Sequence, residues 1–170
     1  DFVCKGTVGG EGCPPDKYEP NETAPGAKLA DISDCDDLVP AGPASISTAE
    51  DNDWYRYVVK DKFGCDVEPK VEITGSTEGA SLWACVYFTC ANDKKADISC
   101  KGNGLTKDTS LGAKTHGCCV AVNNTDTVAI EIGPSCSTFG LGDESGTIDI
   151  HVAPQGATKC AAYNFKWGDS

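Results

Sequence analysis

Eleven cysteines stand in a chain of 170 residues: Cys4, Cys13, Cys35, Cys65, Cys85, Cys90, Cys100, Cys118, Cys119, Cys136 and Cys160. Cysteine at this density, in a chain this short, belongs to an oxidising compartment and to a fold held by cross-links. The other residues make the cross-links necessary. Leu, Ile, Val and Phe together number 31 and the formal net charge is −12, a combination that leans toward disorder when nothing ties the chain. Each disulfide supplies about 2–4 kcal/mol that a thin core cannot. The odd count predicts five bridges and one cysteine left for an intermolecular bond. Near spacing predicts Cys4–Cys13 and Cys90–Cys100 as local pairs. Adjacent Cys118 and Cys119 face opposite sides of an extended strand, so each is expected to bond a different partner.

Apolar residues recur with the period of strands. Over 54–60 the sequence alternates, and the face of Tyr55, Tyr57 and Val59 is assigned to the core. Residues 81–89 are apolar on both faces, as in a central strand. The run 67–74 contains Pro69, which puts its start at an edge or a bulge. Later strands are expected over 118–122, 127–132, 147–152 and 161–167. One short strand is expected near Ile98 within the lysine- and turn-rich stretch 91–117. Asn123-Asn124-Thr125-Asp126 reads as a hairpin turn. No segment longer than about ten residues sustains a 3.6-residue apolar period. The prediction is therefore an all-β sandwich of eight or nine short strands. Residues 16–170 form one domain, and 1–15 are a linker or a small cysteine-closed loop. Residues 24–43 are polar, with Asp31, Asp34, Asp36 and Asp37 clustered around Cys35, and read as an acidic solvated loop in preference to a second calcium site.

Two acidic segments stand out against this pattern. The first is Asp16-Lys17-Tyr18-Glu19-Pro20-Asn21-Glu22-Thr23, which Pro20 keeps out of a helix. The second is Glu50-Asp51-Asn52-Asp53, which opens directly onto the strand beginning Trp54-Tyr55. Glu19, Asn21, Glu22, Glu50, Asp51 and Asp53 offer five carboxylates and an amide. If the segments meet, those carboxylates repel one another unless a cation lies between them, and hard oxygen donors in that number suit Ca²⁺. In the other reading, Glu19 and Asn21 shape a turn and Asp53 accepts backbone hydrogen bonds at the strand start.

The same two segments carry a resemblance. Asp16-x-Tyr18-Glu19-Pro20-Asn21-Glu22-Thr23, followed by Ala27 and Leu29 and then Asp51-x-Asp53-Trp54-Tyr55-Arg56-Tyr57-x-Val59, resembles the bacterial pre-peptidase C-terminal domain family. That family includes the collagen-binding modules of clostridial collagenases. The resemblance runs over roughly 16–167, with a close match in the opening forty-odd residues only. It implies a jelly-roll-like β-sandwich, non-catalytic, appended to secreted hydrolases and in some members calcium-binding. Carried over by motif, Glu19, Asn21, Glu22 and Asp53 fall on ligand positions. Lys17 stands where the calcium-binding members have a further acid, and Glu50 where they have Asp.

Charge and motifs narrow the function. Thirteen Lys and one Arg against 26 acidic residues disfavour nucleic acid and anionic membrane surfaces. No apolar run approaches the roughly 20 residues of a membrane span. No Gly-x-Ser-x-Gly, His-Glu-x-x-His, phosphate-binding glycine loop or Cys-x-x-Cys-His occurs, so the expectation is a non-enzyme with neither haem nor nucleotide. His116, Cys118 and Cys119 match no zinc spacing, and disulfide is the better reading of those cysteines. The start at Asp1 and the lack of Met read as a processed chain or an excised module. Two functions compete. One is a secreted accessory module binding an extracellular polysaccharide or protein, with Trp54, Trp83, Tyr87 and Trp167 as candidate platform aromatics. The other is a structural or adhesive subunit of an extracellular or cell-surface assembly built from copies of itself.

Overall fold

Alternating burial makes strands of more than half of the described residues. The computed structural model describes residues 13, 15–92, 94–136, 143–156 and 160–170, and among them there are twelve strands and no helix. They are β1 (Ala27–Lys28), β2 (Ile32–Ser33), β3 (Val39–Ile46), β4 (Asp53–Lys60), β5 (Pro69–Gly75), β6 (Ser81–Cys90), β7 (Asp97–Lys101), β8 (Thr106–Asp108), β9 (His116–Asn123), β10 (Thr127–Ser135), β11 (Gly146–Pro154) and β12 (Ala161–Asp169). One sheet runs β1-β4-β11-β6-β9-β8, with β2 also beside β4, and the other runs β3-β12-β5-β10-β7. β1 and β2 lie parallel to β4, while the other neighbours are antiparallel. From β3 to β6, and again from β9 to β12, successive strands lie in different sheets. Sheet neighbours such as β3 and β12 are therefore far apart in sequence.

The inner faces supply the core. Tyr55, Tyr57 and Val59 of β4 are fully buried, as the alternation predicts. Phe88, Ile148, Ile150, Ile73, Ile130 and Tyr163 join them from both sheets. β6 lies between β11 and β9 and is buried on both faces along most of its length, which makes it the expected interior strand. Pro69 is the first residue of β5, which is itself interior; the pairing with β10 ends at Lys70, one residue short of the proline.

Ten cysteines form five disulfides: Cys13–Cys160, Cys35–Cys65, Cys85–Cys119, Cys90–Cys136 and Cys100–Cys118. The two local pairings predicted from spacing are wrong. Cys13 reaches the start of β12 instead of Cys4, which lies outside the described residues. Cys90 and Cys100 are also not partners: Cys90, at the end of β6, meets Cys136 just past β10 in the other sheet. Cys100 faces inward from β7 and meets Cys118 on β9, bridging the two sheets. Cys118 and Cys119 do take different partners on opposite faces of β9.

The loop reading of 24–43 also needs correction, because β1 and β2 lie within it and β3 begins at Val39. Pro40 and Pro43 hid it. β3 is an edge strand, where a missing N–H costs no ladder bond.

Candidate metal centre

The N-terminal segment reaches the sheet by running alongside β4. Trp54 N donates to Asn21 O at 2.9 Å, Ala27 of β1 pairs with Tyr55, and Leu29 N donates to Arg56 O at 2.8 Å. Gly26 makes this approach feasible. It has φ +67°, and a Cβ there would stand 2.0 Å from Trp54 O. Asp16 anchors the start of the segment, where Oδ1 accepts from Tyr18 N at 2.7 Å and Oδ2 from Ser45 N of β3 at 2.8 Å. Its role was overlooked in the sequence, although an Asp two residues before the amide it accepts from is an Asx-turn signal.

These contacts bring part of the predicted ligand set together. Carboxylate oxygens of Glu19, Asp51 and Asp53 lie within 4.8 Å of one another. Asp53 is 0 % exposed, Asn21 2 % and Asp51 6 %. Glu22 and Glu50 are exposed instead. Glu22 still adds to the negative field at Glu19. One end of the Asn21 side-chain amide is 2.8 Å from Glu19 Oε2 and 3.2 Å from Asp53 Oδ1. With nitrogen at that end, Asn21 donates to both carboxylates. With oxygen there, three oxygens meet and need a cation among them.

Two observations mark the cluster as more than an acidic turn. Asp51 Oδ2 accepts from Ser47 N at 2.5 Å, but its buried Oδ1 has no hydrogen-bond partner. A buried carboxylate oxygen without a donor is costly. Asp53 Oδ2 accepts from Tyr163 OH at 2.5 Å, and Tyr163 OH also lies 2.7 Å from Tyr55 OH. Burial pushes the Asp53 carboxyl up to about 8 against that hydrogen bond, with Asp51, Asp16 and Glu19 adding repulsion. Burial raises Glu19 as well. The Lys17 ammonium is engaged elsewhere: its Nζ donates to Ala41 O at 2.8 Å and sits over the Tyr18 ring. The three carboxylates, two of them buried and Glu19 half-buried, form a negative oxygen-donor group of the kind a hard divalent cation takes.

The outer face of the larger sheet carries a second group of side chains. Trp54 stacks on His151 with centroids 4.1 Å apart, and the Tyr87 ring lies nearly parallel to Trp54 with centroids 6.2 Å apart. Trp54 and Trp83 are half-buried against the Cys85–Cys119 bridge. Beside them Arg56 donates to both carboxylate oxygens of Asp149, at 2.6 and 2.8 Å. Burial under this layer lowers His151 to about 4. Trp167, the fourth candidate platform residue, is instead buried in the core, where its Nε1 donates to Ala30 O at 3.2 Å. Cys85, Cys119 and Asp108 also lie close together, but both sulfurs are spent in the disulfide. Among protein-family models, curated proteins and solved structures, nothing matches this chain.

Proposed function

We propose that the chain is a non-catalytic binding module of a secreted, extracellular protein, of the pre-peptidase C-terminal kind, and that Ca²⁺ clamps its N-terminal segment onto β4. The observation that carries this reading is the buried, unpartnered Asp51 Oδ1 set among Glu19, Asn21 and Asp53. Those four residues would hold the ion, with exposed Glu22 and Glu50 at the rim. The ion's contribution is charge compensation, which lets three carboxylates and the Asn21 carbonyl face one another beside the core. Five disulfides and the lack of any membrane-crossing helix among the described residues agree with an extracellular setting. The half-buried Trp54 and Trp83, rimmed by Arg56, Asp149 and Asn52, suit a polysaccharide or protein surface.

Thermal melting in calcium and in chelator, at matched ionic strength, tests the clamp. Binding to the native state alone adds RT ln(1 + [L]/Kd), about 2.7 kcal/mol at a hundredfold excess over Kd. At roughly 2–4 °C per kcal/mol for a domain of this size, the expected gain is several degrees. Identical melts would remove the calcium. Co-sedimentation with collagen, cellulose and chitin tests the accessory role, and failure to bind any of them counts against it.

A further inference from the structure

Away from the acidic cluster, the chain reverses its charge. Residues 91–117 hold five lysines against three aspartates, in a protein whose formal charge is −12. This stretch contains β7, β8 and the start of β9, and it walls an open cavity of about 600 Å³ lined by Lys95, Asp97, Lys107, Thr109, His116 and residues 112–113. His116 is 6 % exposed, and its Nδ1 is buried without a hydrogen-bond partner. Lys107 Nζ is fixed in place by Ile98 O at 2.8 Å and Asp97 Oδ1 at 3.3 Å. The Asp97 carboxylate is 88 % exposed, so a ligand oxyanion can take its place on Lys107 while Asp97 turns to water. Lys95 makes no hydrogen bond or ion pair among the described residues.

We propose that this cavity is an anion site that takes one oxyanion group, carboxylate or sulfate, against Lys95, Lys107 and His116. Two ammonium groups and an imidazole nitrogen supply charge-assisted donors, and the orphaned Nδ1 is the buried partner such a group would satisfy. The site is open to solvent and wide enough to admit an oxyanion carried on a larger ligand. This inference does not depend on the calcium clamp, which is built from other residues.

The chain has two histidines, so the imidazole NMR signals of His116 and His151 can be followed separately, His151 serving as the internal control. The probes are acetate, sulfate, glucuronate and glucose, added at constant pH with ionic strength held at about 0.15 M. Acetate, sulfate and glucuronate should each move the His116 signal and saturate on the order of millimolar concentrations, while glucose leaves it still. The rank of sulfate against the two carboxylates then names the preferred group. Lys95→Ala, an exposed change that spares the fold, should weaken binding about tenfold. The site is refuted if no anion saturates by about 0.1 M. It is equally refuted if His151 moves in step, if glucose equals glucuronate, or if Lys95→Ala binds as wild type does.

Discussion

Asp53 decides how the candidate centre responds to pH. An ordinary aspartate releases its proton near 3.8, but burial and neighbouring carboxylates hold this one to about 8. Without a cation the folded state therefore binds a proton that the unfolded state has already lost. Stability from this group is fully present below about pH 4 and is lost as pH rises toward 8. Metal-free protein should accordingly melt lower at about pH 8 than at about pH 5, and calcium should restore the difference at the higher pH because a bound ion requires the ionised carboxylate. Asp53→Asn separates the terms. It should flatten the pH dependence in chelator, melt no lower than chelated wild type at about pH 8, and gain nothing from calcium. A variant that still gains several degrees from calcium would show that the ion sits elsewhere. Tyr163→Phe leaves Asp53 Oδ2 without its donor and should cost about 1–3 kcal/mol.

At the scale of elements, the centre exists because the segment from Asp16 to Leu29 docks on β4. Gly26 is where that docking is tightest. Gly26→Ala meets Trp54 O at 2.0 Å and strains a backbone at φ +67°, whereas Gly79→Ala has φ +74° and nothing within 4 Å. The second change should cost about 1 kcal/mol from conformation alone. The first should cost clearly more and lower calcium affinity at least tenfold, since it lifts Asn21 away from Asp53. Calorimetric titration of both variants checks it, and equal calcium affinity would show that the segment does not build the site. β4 was legible because its alternation is strict and its acidic preface abrupt. β3 was not, because two prolines in eight residues read as loop until the strand is known to lie on an edge. Glu19 and Asp53 could be picked out by residue type, but the exposure of Glu22 and Glu50 depends on the path of a turn that spacing does not encode.

The whole molecule is two sheets whose strands largely alternate along the chain, so a cysteine's partner is set by which strand faces it across the core and not by its sequence neighbour. That is why spacing misassigned Cys90 and Cys100: proximity along the chain carries no information on which strand of the facing sheet stands opposite, and here those are the end of β10 and β9. With ten cysteines in five bonds, thiol titration in denaturant should find at most one sulfhydryl per chain, and three or more would undo the cross-linked account. Size measured with and without reductant reports whether the remaining cysteine joins two copies. The bridges themselves should differ in worth, in an order opposite to the one chain entropy gives. Cys35–Cys65 closes 30 residues and Cys100–Cys118 closes 18, so loop entropy favours the first by only about 0.5 kcal/mol. Cys35 is exposed and Cys65 half-buried, whereas Cys118 is fully buried and Cys100 packs against the core between the sheets. Removing that buried sulfur costs packing as well, on the order of 1–2 kcal/mol, which outweighs the entropy difference. The double variant Cys100→Ala/Cys118→Ala should therefore melt below Cys35→Ala/Cys65→Ala. The reverse order would mean that the bridges act through the unfolded chain alone and that the inter-sheet bond adds nothing to the core.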